Sequence, residues 1–268
     1  MKLSIITVNY NGAEGLKKTL ESVQNQSFKD FEQIVVDGGS TDNSVEIIKD
    51  YAQKIDNYRW VSERDNGIYD GMNKGIGMAT GEYLYFLNGG DCLVDEHTLE
   101  KIVGLLDGSA IVTGRVNLVI NGCKYGETEK MKESDLTMYQ MFLHGINHQS
   151  AIIKRELQLA HLYDITAKIG ADWKFFVETI VLEGVKVKMT DCLFANFDRT
   201  GVSSNNVKLC EERKQLIYDL LPQRVADDYL AVAPYYYEVI RVEWLIRHPL
   251  WYKLYRGIAT LGRKIDKL

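Results

Sequence analysis

Gly81-Glu82-Tyr83-Leu84-Tyr85-Phe86-Leu87-Asn88-Gly89-Gly90-Asp91 is the stretch on which the fold turns. Tyr83 to Leu87 is an unbroken apolar and aromatic run, the pattern of a strand buried on both faces of a parallel sheet. It stops in Asn-Gly-Gly-Asp, which holds one carboxylate at the strand's C-terminal end. Ligands of open α/β sheets gather beyond that edge, and an Asp there suits a hard divalent cation or a nucleotide phosphate. Taken alone, Asn, Gly and Asp are ordinary turn residues, so the rest of the chain has to decide between a turn and a site.

Composition narrows the choice. The 268 residues allow one large α/β domain with an appendage, or two small domains. With 46% hydrophobic and 26% charged residues, the chain can bury a sizeable core. A formal net charge of −5 argues against nucleic acid as a partner. Cys92, Cys123, Cys192 and Cys210 are far apart and form no Cys-x-x-Cys pair, which argues against a zinc site and implies no disulfide framework. The first residues enter a strand at once, without the pattern of a signal peptide. No stretch approaches the roughly 18 to 20 uninterrupted apolar residues of a spanning helix. A cytoplasmic protein is expected.

Strand and helix alternate around the opening stretch. Residues 3–8 read as a first strand, followed by Asn9-Tyr10-Asn11-Gly12 and a helix with Leu16, Leu20 and Val23 on one face. Residues 31–36 form the second strand. The next helix opens on Asn43-x-x-Glu46, a capping pattern, and turns Val45, Ile48 and Ala52 inward. Tyr58–Ser62 is a short third strand, and residues 68–80 a helix despite its glycines. After Asp91, a helix capped by Asp95 carries Leu99, Ile102, Val103 and Leu106 on one stripe. This rhythm predicts a parallel sheet with helices on both faces and right-handed crossovers. Residues 109–197 are mixed: a hairpin at Asn121-Gly122, a helix at 136–143, a strand at 148–153, a helix with Trp173, Phe176, Val177, Ile180 and Val181 in phase, and a strand at 185–189. From Asn205 the pattern is helical, with breaks at Pro222, Pro234 and Pro249.

Several loops carry polar groups able to do chemistry. Asn9-Tyr10-Asn11-Gly12 is not the Gly-x-Gly-x-x-Gly of a dinucleotide fold, and no Gly-x-x-x-x-Gly-Lys-Ser/Thr phosphate loop occurs, which argues against dehydrogenases and P-loop kinases. Asp37 precedes Gly38 and Gly39, which let a ligand approach the backbone. Its carboxylate can accept from a base or a ribose hydroxyl, or merely shape the turn with Ser40. Residues 63–75 are dense in polar groups. There Lys74 and Arg64 can neutralise phosphate and Asp65 or Asp70 can take hydroxyl or base contacts, against the plainer reading of a solvated face. Asp172, after Ile169-Gly170-Ala171, can be a general base or a simple helix N-cap. His144 and His148 flank Gly145-Ile146-Asn147; a lone His is more often structural than a metal ligand, and His148, beside Gln149, is the better candidate.

Together, Ser4-Ile5-Ile6-Thr7-Val8-Asn9-Tyr10-Asn11, Val36-Asp37-Gly38-Gly39-Ser40-Thr41-Asp42, residues 67–75 leading to Ala79-Thr80-Gly81-Glu82-Tyr83, and Phe86-Leu87-Asn88-Gly89-Gly90-Asp91 resemble the inverting family 2 glycosyltransferases. Four ordered matches over residues 3–91 are more specific than any one of them. Ala171-Asp172-Trp173 stands where that family usually has its catalytic Asp. The subset most resembled makes bacterial exopolysaccharide, capsule or O-antigen.

The resemblance implies an α/β protein of the GT-A nucleotide-sugar-binding fold, with a mostly parallel central sheet flanked by helices. Residues 1–204 would be the transferase domain, with a nucleotide-binding half (1–108) and an acceptor half (109–204), and residues 205–268 a helical C-terminal extension. It implies a nucleoside-diphosphate-sugar donor, a saccharide or lipid-diphosphate-linked acceptor, and Mn²⁺ or Mg²⁺. Thr7, Asp37 and Asp65 or Asp70 would grip the nucleoside. Asn9, Ser40, Arg64, Asn73, Lys74, Asn88 and Gly89 would complete the donor site. Asp91 would bind the metal, with His148 as a second ligand. Asp172 would deprotonate the acceptor hydroxyl for a single inverting displacement, while the metal and Lys74 or Arg64 stabilise the leaving diphosphate. One departure stands out: the metal motif's usual first acid is Asn88 here, and Gly90 fills another often-acidic position, so the metal site carries less charge.

Residues 241–268 hold seven Lys or Arg against Glu243 and Asp266, interleaved with Trp244, Leu245, Trp251, Tyr252, Leu254 and Tyr255. That pattern fits a helix lying peripherally on an anionic membrane, or one packing on the domain or on a second subunit as a homodimer contact. Arg199-Thr200-Gly201-Val202-Ser203-Ser204 reads as a loop able to close over the diphosphate. Two rivals remain at this stage. A sugar-nucleotide nucleotidyltransferase would need a glycine-rich, basic loop after the first strand, which Asn9-Tyr10-Asn11-Gly12 does not supply. A catalytically inactive nucleotide-sugar-binding protein has only Asn88 in its favour.

Overall fold

The opening strand sits at the middle of one continuous sheet. In the computed structural model, which describes residues 1–200, 206–235, 244 and 247–253, β1 (Leu3–Asn9), α1 (Ala13–Gln24), β2 (Phe31–Asp37), α2 (Ser44–Ala52), β3 (Tyr58–Ser62), α3 (Ile68–Met78) and β4 (Tyr83–Phe86) alternate as the sequence predicts. Every residue of β1, β2 and β4 is buried. Helices cover both faces, which is why these strands run apolar instead of alternating. β1 pairs in parallel with β2 and β4, and β2 with β3, so the C-terminal ends of four strands meet along one edge. The glycines of α3 have a packing role. A methyl on Gly75 would stand 2.4 Å from Ile6 Cγ2, and one on Gly71 2.8 Å from Val8 Cγ1, so only a bare backbone lets α3 lie on β1.

The second half is mixed. β5 (Cys92–Leu93), α4 (Thr98–Leu105), β6 (Ile111–Ile120), β7 (Cys123–Glu127), α5 (Met138–Leu143), β8 (Ala151–Lys154), α6 (Arg155–Ala160), α7 (Ala171–Phe176) and β9 (Val187–Asp198) follow in order. β8 pairs antiparallel with both β4 and β6, and β9 pairs parallel with β6 and antiparallel with β5. The strand order is β3-β2-β1-β4-β8-β6-β9-β5, with β7 hairpinned onto β6. Leu3, Ile5, Tyr85, Leu99, Val112, Ile152 and Phe194 share one apolar cluster, so both halves are built on a common core. The expected hairpin is present. Asn121 (φ 51°) and Gly122 (φ 77°) both take the positive φ of a type I′ turn.

Four local expectations are corrected. α4 starts at Thr98 with His97 at its N-cap, while Asp95 accepts from the His97 N–H and the Thr98 hydroxyl one turn earlier. The strand expected at 148–153 begins at Ala151, after a 3₁₀ turn over His148–Ser150. The aromatic helix stays α-helical only to Phe176 and continues as a π-helix over Val177–Leu182, which shifts the phase of Ile180 and Val181. β9 runs on to Asp198, far past the expected end at Met189. Its half-exposed residues gave no apolar run to mark it.

α8 (Asn206–Leu220) and α9 (Gln223–Val232), with Pro222 at the α9 N-cap, are helical as expected. The chain divides into two compact units, Met1–Leu216 and Ile217–Leu268, the division falling within α8. Among the described residues, no helix is long and apolar enough to cross a membrane. Most of the basic tail from 241 onward, and residues 201–204 of the loop expected to close, lie outside the described residues.

Candidate active site

One carboxylate ties together the loops after β1, β2 and β3. Asp37 is fully buried. It accepts from Ser40 Oγ (2.5 Å), the Ser40 N–H (2.9 Å), Asn9 Nδ2 (3.0 Å) and Ser62 Oγ (2.8 Å). Burial pulls its pKa up, but these donors outweigh that and hold the carboxyl below its ordinary range. Asp65 packs against the same turn. A methyl on Gly38 would stand 2.6 Å from Asp65 Oδ2, so a glycine is what lets the two loops touch. Asp65 Oδ1 accepts from the Gly67 N–H at 3.0 Å.

Beyond β4, the Asn88–Asp91 turn is pinned by α1. Thr19 Oγ1 accepts from the Gly90 N–H (3.0 Å) and donates to the Asp91 carbonyl (2.7 Å). Asp91 itself is 5% exposed. Its Oδ1 accepts from the Asp198 backbone N–H at the end of β9 (2.9 Å), and its Oδ2 from Gln149 Nε2 (2.9 Å). Burial above all, with the Asp198 carboxylate nearby, pushes its pKa up to about 6 despite His148 nearby and those two donors.

Asp172 leads α7. Its Oδ1 accepts from the Trp173 N–H (2.8 Å) and lies 3.2 Å from the Tyr69 hydroxyl, and its Oδ2 lies 2.9 Å from His148 Nδ1. Burial raises its pKa, yet the hydrogen bond and charge of His148, the Trp173 N–H and the charge of Arg213 more than offset this and keep it ionised. The approach to α7 is held from α8, where the Glu212 carboxylate accepts from the N–H groups of Lys168 (2.5 Å), Ile169 (2.7 Å) and Gly170 (2.7 Å). Asp172 and His148 open onto a cavity of about 770 Å³, walled also by Trp173, Phe197, Arg199 and Arg213. That is the size range of a site for a small organic ligand.

Residues 4–164 of the chain match the family model described as Glycosyl transferase family 2. The chain belongs to glycosyl transferase family 2. A PGL/p-HBAD biosynthesis glycosyltransferase of Mycobacterium bovis is 29% identical over 219 residues, covering 80% of this chain and 83% of the relative. An uncharacterized glycosyltransferase of Mycobacterium tuberculosis is 30% identical over 210 residues, covering 76% and 77%. Among solved structures, S. aureus TarS in complex with UDP-GlcNAc matches with a TM-score of 0.66 and 20% identity, over 86% of this chain and 71% of that one. The mannosyltransferase PcManGT from Pyrobaculum calidifontis, in complex with GDP-Man and Mn²⁺, matches with a TM-score of 0.60 and 19% identity, over 97% and 80%. The expected GT-A fold is the fold of this glycosyltransferase.

Within it, Asn9, Asp37, Ser40 and Asp65 gather at one end of the sheet edge, and Asn88, Gly89 and Asp91 lie beside them. The Gly89 N–H donates to the Val8 carbonyl (3.0 Å), which docks the turn on β1. Thr7 is fully buried within β1, and its hydroxyl has no partner among the described residues. Lys74 pairs with Glu63 (2.9 Å) and lies 3.9 Å from Asp70, while Asp70 accepts from the Asn66 N–H (2.9 Å). Arg64 is exposed next to them. Asn73 departs from expectation: Nδ2 donates to the Tyr163 carbonyl (2.8 Å) and Oδ1 accepts from the Tyr163 N–H (2.9 Å), so it anchors a loop. At His148, Nδ1 lies 2.9 Å from Asp172 Oδ2 and Nε2 lies 3.1 Å from Asn88 Nδ2. Sequence reasoning missed Thr19, Tyr69, Asp198 and Glu212; only Gln149, next to His148, stood where attention already was.

Proposed function

We propose that this glycosyltransferase transfers a sugar, with inversion, from a nucleoside-diphosphate sugar to a hydroxyl of a saccharide or lipid-linked saccharide during bacterial surface glycan synthesis. One observation carries the reading: Asp172, ionised and held by the Trp173 N–H and by His148, with the Tyr69 hydroxyl 3.2 Å away, stands in the wall of the 770 Å³ cavity. Its Oδ2 accepts a single hydrogen bond, so the carboxylate keeps acceptor capacity for an incoming hydroxyl. In the reaction, Asp172 takes the acceptor's proton and the freed oxygen attacks the anomeric carbon from the face opposite the diphosphate. The bond from that carbon to the phosphate oxygen breaks, and its electron pair leaves with the nucleoside diphosphate. Asp65 and the Asp37–Ser40 turn supply the polar groups for the nucleoside.

The carboxylates in the turn after β4 and at the end of β9 suit a divalent cation. Asp91 and Asp198 offer the oxygen donors that Mn²⁺ or Mg²⁺ takes. Burial raises the pKa of Asp91 to about 6, and a bound cation would favour its ionised form. When bound, such a cation would neutralise charge on the leaving diphosphate. The sugar nucleotides in two similar structures and the biosynthetic role of the mycobacterial relative support the donor and glycan readings.

The test is release of nucleoside diphosphate from UDP-, GDP- and dTDP-sugars with Mn²⁺, and the anomeric configuration of the product by proton NMR. Inversion is expected, and Asp172→Asn is expected to abolish turnover while donor binding survives. A retained configuration, or full activity in Asp172→Asn, would overturn the reading.

A further inference from the structure

We propose that His161, Glu178 and Glu183 form a second cation site, apart from Asp91 and Asp198, that takes a divalent transition ion such as Zn²⁺. His161 ends α6, and its ring packs edge-on against the buried Phe175 with centroids 6.4 Å apart. Nε2 lies 3.3 Å from Glu183 Oε2, and Nδ1 lies 3.9 Å from Glu178 Oε2. One donor atom from each of the three side chains lies within 4.8 Å of the other two.

The two glutamates converge because of the π-helix. Residues five apart on an α-helix point about 140° away from each other. Here the Glu183 N–H donates to the Glu178 carbonyl at 3.0 Å, the i to i+5 bond of a π turn, which sets the two side chains one above the other. The widened turn thus delivers two carboxylates to one imidazole from the loop after α6.

The spacing is that of ligands rather than of hydrogen bonds. Both His–Glu separations exceed the roughly 2.7 to 2.9 Å of a charge-assisted bond. Two donors on a tetrahedral ion, each about 2.0 to 2.1 Å from it, stand about 3.3 Å apart. The Nε2–Glu183 gap has that value already, and rotation of the half-exposed Glu178 side chain closes the other. The donor set also selects the ion. Mg²⁺ and Ca²⁺ take oxygen ligands, whereas imidazole suits zinc, copper and nickel. Two carboxylates balance the charge of a dication, and water completes a fourth position. The bound ion would tie the loop after α6 to the helix that carries Asp172, two segments already joined by the Lys174–Asp164 ion pair (2.7 Å).

Calorimetric titration of the untagged full chain with Zn²⁺ is the test, carried out in an Asp91→Asn background so that the proposed reaction metal does not contribute. One Zn²⁺ should bind per chain and raise its Tm. His161→Ala and Glu183→Gln should each weaken that binding about tenfold or more and remove the Tm shift. Glu183 is exposed, so Glu183→Gln should keep the metal-free Tm of the background and show the loss without any change of fold. Co²⁺ in place of Zn²⁺ should give a visible absorption band that both substitutions abolish. The proposal fails if the Asp91→Asn chain binds Zn²⁺ no more tightly than about 1 mM, since the three groups would then be a surface ion pair only. It fails equally if either substitution leaves the Zn²⁺ affinity unchanged, since the ion would then sit elsewhere.

Discussion

Gln149 Nε2 lies 2.9 Å from Asp91 Oδ2, a contact between residues 58 apart that leaves the Asp91 carboxylate inside the protein among neutral donors. Its pKa, raised from 3.8 to about 6, means that the fold prefers the protonated acid. The stabilising contribution is complete below about pH 3.8 and is lost as the pH climbs through about 6, an effect of about 3 kcal/mol by linkage. Asp91→Asn should therefore match the parent protein in stability at pH 4 and exceed it at pH 7 in metal-free buffer, as followed by calorimetry. Mn²⁺ should raise the Tm of the parent and not of the variant. Equal Mn²⁺ shifts in both would place the cation elsewhere.

Glu32 has the opposite sign. It is 2% exposed and accepts from Ser4 Oγ (2.6 Å), the Thr80 N–H (2.6 Å) and Thr80 Oγ1 (2.8 Å), with the Arg59 guanidinium on its second oxygen. Burial pulls its pKa up, but these partners prevail and lower it from 4.5 to about 2. Its stabilisation is present above about pH 4.5 and disappears as the pH falls through about 2. Glu32→Gln should cost about 3 kcal/mol at pH 7 and much less at pH 3. Urea unfolding at the two pH values measures this, and an equal loss at both would refute it.

How much of this could be read in the sequence follows from where each interaction closes. β1, β2 and β4 announce themselves because burial on both faces demands apolar runs, and α1 because its stripe is local. The Asp37 turn was readable for the same reason: Ser40, its main partner, is three residues away. The contacts of His148 were not legible, because Asn88 and Asp172 lie 60 and 24 residues away and no periodicity links them. Asp198 meets Asp91 through a backbone N–H, a role that any side chain would permit. Glu212 lies on a helix whose sequence gives no hint that it serves a loop more than 40 residues earlier.

Glu212 makes a prediction of its own. Three successive backbone N–H groups ahead of Asp172 end on its carboxylate, so Glu212→Ala leaves them to water. The loop should loosen and kcat should fall about tenfold or more as the base wanders, with donor affinity unchanged. Hydrogen exchange should quicken at residues 168–170 and stay the same in β1 and β2. Unchanged exchange at 168–170 would mean that the loop is held by its own packing.

Gly38 tests the nucleoside end. Alanine there brings a methyl to 2.6 Å from Asp65 Oδ2, against a carboxylate that the Gly67 N–H holds in place. Asp65 is the softer partner, because its loop is partly exposed whereas Asp37 is buried and held by four donors. Gly38→Ala should therefore displace Asp65 and weaken binding of UDP or GDP by about tenfold or more, roughly the loss of one charge-assisted hydrogen bond. Adding Asp65→Ala relieves the clash, so the double variant should regain stability without regaining affinity. Calorimetric titration of the two variants separates the effects. If Gly38→Ala binds nucleotide as the parent does, Asp65 does not contact the donor and the nucleoside rests on the Asp37 turn alone.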